Sequence, residues 1–224
     1  MVGHGAAESR EKAQALIMAG EVLLNGQKAL KAGQTVGAEA RVEVLAKQRY
    51  VSRGGIKLEA ALERFAIDVN GCVCADFGAS TGGFTDCLLQ YGAARVTAFD
   101  VGSGQLDWRL RSDPRVVVKE GVNARYLEPA PYDLATCDVS FISATLIIPA
   151  MTGAARMVVL VKPQFEAGRG KVGKGGIVRD PLIHQEACDK VRDFVTARGF
   201  QTDMMESPIT GAEGNREFLL YGWR

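Results

Sequence analysis

The sequence has little net charge and no cysteine or histidine motif. Its formal net charge is +1 over 224 residues, so any nucleic-acid-binding signal must be local. The two histidines and five cysteines form no metal-ligand pattern, and no C-x-x-C pair occurs. Cys72 and Cys74 stand in an apolar run. We therefore expect small, buried, reduced thiols, a cytoplasmic location and no bound metal.

Long uninterrupted apolar segments are also absent. The N-terminal MVGHGAAESREK lacks the apolar core of a signal peptide. The most hydrophobic run, ATLIIPAMTGAARMVVLVKP, is interrupted by Pro149, Gly153 and Arg156. It predicts a helix over 143–155, a turn and a buried strand, so we expect no contact with a membrane.

Residues 1–47 predict a small α+β unit. SREKAQALIMAG has a helix start at Ser9 and a stop at Gly20. Asn25-Gly26 between short apolar runs predicts a hairpin, and QTVGAEARVEVLA adds a strand. Basic residues outnumber acidic ones in this region, which indicates RNA contact or, equally, a solvated charged face. The candidate RNA-binding residues in and just after this unit are Arg10, Lys12, Lys28 and Arg53.

Residues 48–55 predict a linker, and residues 56–224 alternate helices with apolar strands. Seven segments are typical of strands: CVCADF, ARVTAFDVG, RVVVKEG, YDLATCDVSF, RMVVLVKP, TDMMESPI and REFLLYGWR. Continuous apolar strands separated by helices predict a Rossmann-like α/β fold, with a mostly parallel seven-stranded sheet covered by helices on both faces. Ligands of such sheets bind at the carboxyl ends of the strands.

The stretch CADFGASTGGFTDCLL, residues 74–89, predicts a strand, a glycine-bearing turn and a helix of the kind that holds nucleotides. A phosphate-binding loop needs Lys-Ser/Thr after its glycines, and no lysine lies between Asp76 and Asp86. A dinucleotide fingerprint needs G-x-G-x-x-G, whereas these glycines stand at 78, 82 and 83. The turn therefore fits neither motif.

Polar side chains at successive strand ends favour S-adenosylmethionine instead. We expect Asp76 to point into the cleft, where it would repel a pyrophosphate and hold an ammonium group. Asp100 could accept both ribose hydroxyls, and Asn123 could reach the adenine edge. The helix N-terminus after Gly83 favours a carboxylate. The predicted cofactor-binding residues are Asp76, Gly78, Ala79, Ser80, Thr81, Gly82, Gly83, Phe84, Asp100, Val101, Asn123 and Asp138.

Five motifs belong together: SRGGIKLEAAL, DFGASTGGFTDCLLQYGA, CDVSFIS, VKPQFEAGRGKVGKGGIVRD and GNREFLLY. As a set they resemble the TlyA family of FtsJ-like ribosomal RNA 2′-O-methyltransferases, some of which are historically labelled haemolysins. ESREKAQALIMAGEVLLNGQ is similar to the family's ribosomal-protein-type RNA-binding domain. Only eight residues precede Ser9, so we expect that domain to lack its first helix. The resemblance implies S-adenosylmethionine as cofactor and ribosomal RNA or ribosomal subunits as partner.

The resemblance also implies a Lys-Asp-Lys-Glu tetrad, which falls on Lys57, Asp138, Lys162 and Glu217. In methyl transfer to a ribose, the attacking hydroxyl loses its proton. A lysine can accept that proton only where its pKa falls well below about 10.4, and a second ammonium group nearby lowers it. We hypothesise that Lys162 accepts the proton and Lys57 positions the ribose. Considered singly, each residue could instead be a solvated, capping or edge-pairing side chain.

The segment EAGRGKVGKGGIVRD predicts a basic loop after the fifth strand of the large domain. Arg169, Lys171 and Lys174 add positive charge to it, which indicates a closing, phosphate-contacting loop or a plain solvated one. Trp108 and Trp223 could stack on bases, although we expect both to pack in the core.

Three other functions stay open at this point. A haemolysin-like membrane-active protein would need a spanning or strongly amphipathic segment, and none is convincing. A non-catalytic, RNA-binding ribosome assembly factor would hold the cofactor without turnover, which the intact tetrad disfavours. A nicotinamide oxidoreductase is disfavoured by the glycine spacing.

Overall fold

A computed structural model describes residues 1–2, 7, 9–18, 22–29, 31, 33, 36–37, 39–44, 49–211 and 214–224. The described residues form two compact units, Met1–Arg49 and Tyr50–Arg224. The second unit begins inside the segment predicted as a linker, because Tyr50 is buried in its core and the Val51 amide donates to the Asp86 carboxylate. The predicted helix stop at Gly20 lies outside the described residues.

The described residues of the first unit form one helix and a small antiparallel sheet in the strand order β2-β1-β3. Ser9 caps the helix as predicted, since its hydroxyl accepts from the Lys12 amide at 3.1 Å. Asn25 and Gly26 have φ angles of 50° and 80°, the left-handed pair that a two-residue hairpin requires. The elements are α1 (Arg10–Met18), β1 (Val22–Leu24), β2 (Gln27–Lys28) and β3 (Val42–Val44).

The second unit alternates helices and strands along the chain. Its helices are α2 (Gly54–Arg64), α3 (Gly83–Gln90), α4 (Trp108–Arg111), α5 (Ile148–Met151), α6 (Pro163–Glu166) and α7 (Pro181–Thr196). Its strands are β4 (Val73–Phe77), β5 (Arg95–Phe99), β6 (Val116–Lys119), β7 (Leu134–Cys137), β8 (Arg156–Val161), β9 (Gln201–Glu206) and β10 (Phe218–Trp223). Six of the seven predicted strand segments contain one of these strands, and β9 begins at Gln201, one residue before the seventh segment, TDMMESPI.

These strands form a single sheet in the order β6-β5-β4-β7-β8-β10-β9. Strands β4 to β8 pair in parallel, and β10 is antiparallel to both of its neighbours. The chain runs outward from β4 in one direction and then returns to β7 on its other side. The topological switch point therefore lies between the carboxyl ends of β4 and β7, where ligands of such sheets bind.

Apolar clusters cover both faces of the sheet. On one face, Leu58 and Leu62 of α2 pack with Leu88 of α3. On the other, Ile147 and Met151 pack with Val191 of α7. The predicted fold class, a mostly parallel seven-stranded sheet with helices on both faces, is confirmed.

The helix predicted over 143–155 is much shorter in the structure. A 3₁₀ turn, Ala144–Leu146, comes first, and α5 then covers only Ile148–Met151. Pro149 lies in the first turn of α5, where a proline is tolerated because its missing N–H needs no partner there. One continuous helix through this residue would lose a hydrogen bond.

The cysteines are free thiols, as predicted. Cys74, Cys87, Cys137 and Cys188 are buried, and Cys72 is half-buried. Burial raises the pKa of Cys74 to about 12 and that of Cys188 to about 11. Because the thiolate is the reactive form, these two side chains are inert packing groups.

Candidate active site

The glycine turn after β4 is held against the end of β5. The amides of Gly78 and Ala79 both donate to the Phe99 carbonyl, at 2.9 and 3.1 Å. Gly78 has φ +82°, and a Cβ there would lie 2.7 Å from the Asp138 carbonyl oxygen. Only glycine fits at this position, so the turn closes tightly on the end of β7.

The segment that leads into α4 covers the other side of the turn. Leu106 and Leu110 pack so closely on Gly82 that a Cβ there would lie 2.8 and 2.2 Å from their methyl carbons. The Asp107 amide donates to the Thr81 carbonyl at 3.2 Å. The start of α3 is thereby fixed by contacts with residues well beyond it in the chain.

Asp100 follows β5 and organises two backbone turns. Its carboxylate accepts from the amides of Ser80 and Gly102, each at 2.7 Å. It lines a cavity of about 380 Å³ that Val101 and Asn123 also border. Asn123 additionally caps a 3₁₀ turn, accepting from the Arg125 amide at 3.2 Å. Three predicted cofactor-binding residues therefore meet at the ends of β5 and β6.

The expectation that Asp76 points into the cleft is wrong. Its side chain is fully buried and accepts from the hydroxyls of Thr85 at 2.7 Å and Thr136 at 3.0 Å. Burial raises the pKa of Asp76 to about 6, against the opposing effect of these two hydrogen bonds. The residue lies within β4, one position before its end, and its carboxylate faces the threonines of α3 and β7.

The four proposed tetrad residues form two ion pairs. Lys57 Nζ lies 2.5 Å from Glu217 Oε2, and Lys162 Nζ lies 2.6 Å from Asp138 Oδ1. Both lysine side chains are only 10% exposed, which excludes the alternative that they are solvated surface residues. Glu217 does not pair with Arg216, because that arginine binds Glu206.

Three cavities meet at the two lysine–carboxylate pairs: two of them border both lysines, and the third borders Asp138. The smallest, about 160 Å³, lies at the glycine turn and is bordered by Lys57, Asp138 and Lys162. Asp138 also borders the 380 Å³ cavity. Lys57 and Lys162 also border a third cavity, of about 540 Å³. We call these the turn cavity, the strand-end cavity and the outer cavity.

The other predicted cofactor residues line these cavities, with one exception besides Asp76. Gly78 and Ser80 border both the turn cavity and the strand-end cavity. Gly82 borders neither, since its α-carbon faces the two leucines. The turn cavity is also lined by Ala79, Thr81, Gly83 and Phe84.

Ser140 is a site residue that sequence reasoning missed. It borders all three cavities, and its hydroxyl accepts from Lys162 Nζ at 2.9 Å. Its position two residues after Asp138 in CDVSF was the available signal. Gln105 was also missed; it borders the strand-end cavity and contacts the Ser80 hydroxyl at 3.2 Å.

The predicted RNA-binding residues are distributed over both units. Arg10, Lys12 and Lys28 are exposed on the first unit. In the second unit, Arg53 donates to the Thr210 carbonyl, and Lys171 pairs with Glu186. Exposed basic residues of the loop after α6 include Lys174, while the side chain of Arg169 lies outside the described part of the chain.

The prediction that Trp108 packs in the core is wrong, since the residue is 72% exposed. It begins the four-residue helix α4, in which Leu110 takes the buried position. Trp223 is half-buried and stacks on the Tyr221 ring with centroids 4.9 Å apart.

A seven-stranded sheet in this order, with a glycine turn after its first strand and polar side chains at the next strand ends, defines the fold of S-adenosylmethionine-dependent methyltransferases. The chain belongs to the FtsJ-like methyltransferase family, whose model matches residues 50–224. A model of the S4 domain matches residues 4–42.

Relatives and solved structures agree with this assignment. The chain is 45% identical over 232 residues to the 16S/23S rRNA (cytidine-2′-O)-methyltransferase TlyA of Mycobacterium tuberculosis, covering 99% of this chain and 87% of that protein. A solved Streptococcus thermophilus protein, provisionally named a hemolysin, is 44% identical with a TM-score of 0.77, over 96% of this chain and 83% of that one. Magnesium protoporphyrin IX methyltransferase from Synechocystis, with bound SAH, shares the fold alone: 16% identity, TM-score 0.53, and coverage of 76% and 81%.

Proposed function

We propose that the protein is an S-adenosylmethionine-dependent enzyme that methylates the 2′-hydroxyl of a ribose in ribosomal RNA. The observation that carries this proposal is the meeting of the three cavities at the two lysine–carboxylate pairs, Lys57–Glu217 and Lys162–Asp138. A methyl donor in the first two cavities would face an acceptor in the third across Lys57 and Lys162. The rRNA methyltransferase named above, similar over nearly the whole chain, supports RNA as the acceptor.

The residues of the turn and strand-end cavities fit the cofactor. The carboxylate of Asp100 has acceptor capacity for ribose hydroxyls beyond its two backbone bonds, and Asn123 borders the same cavity. The glycine at position 78 leaves the backbone open to close approach, and the start of α3 favours a carboxylate. When bound, the cofactor would supply a methyl group on a sulfonium, already activated for displacement.

Asp76 has a revised role in this proposal. Because its oxygens bind Thr85 in α3 and Thr136 in β7, it holds the start of α3 beside the switch point. We infer that it shapes the turn cavity from behind and does not touch the ligand's ammonium group.

The two lysines have different surroundings, which supports different roles. Asp138, the partner of Lys162, borders both cofactor-side cavities. Glu217, the partner of Lys57, borders only the outer cavity of the three. Lys162 would accept the ribose proton, and the Asp138 carboxylate would stabilise the ammonium group that forms. Lys57, held by Glu217, would position the ribose.

The outer cavity has the size and lining for a nucleotide of the substrate. Its volume is about 540 Å³, and the rings of Phe141 and Phe165 line it beside the two lysines. Aromatic rings of this kind stack on unpaired bases. The exposed basic residues of the following loop, such as Lys171 and Lys174, would bind phosphates near the cavity mouth.

The membrane-active alternative has no structural support. Within the ranges that the structure describes, no helix combines the length and the apolar character needed to cross a bilayer. The haemolysin label of a relative is a name and carries no further observation.

Methyl transfer from labelled S-adenosylmethionine to separate small and large ribosomal subunits, taken from cells lacking this protein, tests the proposal. The wild type should label RNA at a position that resists alkaline cleavage, because a methylated 2′-hydroxyl cannot attack its neighbouring phosphate. Lys162→Met should lose the label. The matched control is Arg95→Met, which should keep the label. It removes a positive charge at the start of β5, at the opposite ends of the strands from the site.

The remaining outcomes separate the alternatives. Cofactor binding without label on either subunit would favour the non-catalytic assembly factor. Label that persists in Lys162→Met would refute the role of Lys162 while leaving the enzyme class intact.

A further inference from the structure

Glu166 is a buried carboxylate outside the four proposed tetrad residues. It ends α6, four residues after Lys162, and its side chain is 1% exposed. Three groups donate to it: the Ser143 hydroxyl at 2.5 Å, the Ala144 amide at 2.7 Å and Lys190 Nζ at 2.8 Å. The Lys190 ammonium group also donates to the Glu166 carbonyl at 3.1 Å. These contacts satisfy a charge that would be costly to bury alone.

The contacts of Glu166 join two segments that carry the proposed chemistry. Ser143 and Ala144 end the segment that leaves β7 with Asp138, and Glu166 ends the segment that leaves β8 with Lys162. Lys190 of α7 donates to Ser143 and to Glu166, and so links both segments to α7. The distance between Asp138 and Lys162 therefore depends on two chain segments that Glu166 ties together.

The segment between Asp138 and Ser143 is held by side-chain contacts: Val139 and Ile142 pack on the apolar cluster, and the Phe141 ring contacts that of Phe165. In the described part of the chain, residues 139–142 make no backbone–backbone hydrogen bond. Phe141 has φ +66° and its side chain is exposed. A bulky residue in this conformation is strained, and such strain persists only where surrounding contacts hold it. The contacts that bracket it are Lys162 with Ser140 on one side and Glu166 with Ser143 and Ala144 on the other.

We propose that Glu166 is a positioning residue for methyl transfer: it holds Asp138 and Ser140 at the distances from Lys162 that proton acceptance requires. Glu166 borders neither the turn cavity, the strand-end cavity nor the outer cavity, so it acts through Asp138 and Ser140 and does not touch the substrate. This inference rests on the proposed function. A displacement of about 1 Å at reacting groups can cost about 100-fold in rate. A small shift after loss of the Glu166 contacts is therefore enough to lower kcat.

Glu166→Gln is the substitution that tests the proposal, because it conserves shape and removes the charge. The amide nitrogen must then face the Ala144 amide or the Lys190 ammonium group, and both are donors. We expect kcat to fall on the order of 10-fold, while the cofactor Kd changes less than about threefold, since Asp100 and the glycine turn are untouched. Hydrogen exchange in a peptide covering 138–145 should accelerate, with the strands unchanged.

Asp189→Asn is the matched control, because it makes the same carboxylate-to-amide change on α7, at an exposed side chain paired with Arg192. Cofactor-binding stoichiometry from calorimetry corrects kcat for any unfolded fraction of each variant. If Glu166→Gln proves too unstable, Ser143→Ala removes one donor without leaving an unpaired buried charge, and should lower kcat severalfold.

The outcomes distinguish this inference from the proposed function. An inactive wild type overturns the proposed function. An active wild type whose Glu166→Gln and Ser143→Ala variants keep the corrected kcat, or lose it only in proportion to cofactor affinity, overturns the positioning role.

Discussion

The two lysine–carboxylate pairs of the site are nearly equal in length and differ in where their carboxylates lie. Glu217 is 2% exposed, whereas Asp138 is 22% exposed and borders both cofactor-side cavities. Lys162 also has the Ser140 hydroxyl as a second partner. A pair whose carboxylate is buried, as in Lys57–Glu217, fixes geometry. A pair whose carboxylate borders a cavity, as in Lys162–Asp138, is open and can exchange protons and partners. The difference suggests that folding depends more on Lys57 and that turnover depends more on Lys162.

The largest expected effect is on turnover in Lys162→Met. Loss of a proton acceptor typically lowers kcat by about 100- to 10,000-fold. The stability cost should be about 1–2 kcal/mol, since the open Asp138 can be hydrated from the cavities. Single-turnover methylation and urea unfolding measure the two effects. A variant that unfolds readily but methylates normally when folded would reverse the comparison.

The second-largest expected effect is a loss of folding stability in Lys57→Met. This change leaves Glu217 buried without its partner, which should lower the free energy of unfolding by about 3–5 kcal/mol. The double variant Lys57→Met/Glu217→Met should recover most of that loss, because apolar side chains of similar length can replace a buried ion pair. Methylation should stay low in both. Recovery of methylation together with stability would show that the pair serves folding alone.

Asp76 extends the comparison to a buried carboxylate whose hydrogen bonds come from two threonine hydroxyls. Its pKa is raised by burial to about 6, from an ordinary 3.8. The folded state therefore holds the proton more tightly than the unfolded state, and this contribution to stability is lost as pH rises through about 6. Asp76→Asn removes the titration.

We thus expect the stability of Asp76→Asn relative to the wild type to rise by about 1–2 kcal/mol between pH 5 and pH 8. Urea unfolding of both proteins at the two pH values measures it. Parallel stability curves would mean that Asp76 titrates in the folded protein as it does in the unfolded chain.

The sequence predicts a residue's place in the site well where that place is set by neighbouring residues, and poorly where it is set by contacts with residues of other elements. Continuous apolar runs separated by helical segments predict the seven strands, because each run depends on nearby residues. Motif resemblance selects Lys57 and Glu217, although 160 positions separate them. The orientation of Asp76 is not predictable in this way, since it depends on Thr85 and Thr136 from two other elements. Trp108 is misjudged for a similar reason: the leucines beside it occupy the buried positions.

The smallest expected effect is on the salt dependence of RNA binding, and it concerns two exposed lysines. Lys171 and Lys174 lie in the loop after α6, and Lys171 pairs with Glu186. A lysine that neutralises a phosphate steepens the dependence of RNA binding on salt by about one unit of log slope. A carboxylate partner competes for that role, so Lys174→Gln should flatten the salt dependence more than Lys171→Gln. Glu186→Gln should release Lys171 and so tighten RNA binding at low salt. In that background, Lys171→Gln should flatten the salt dependence by the full unit of log slope. Equal slopes for the two lysine variants, in both backgrounds, would mean that surface pairing does not limit which lysines bind phosphate.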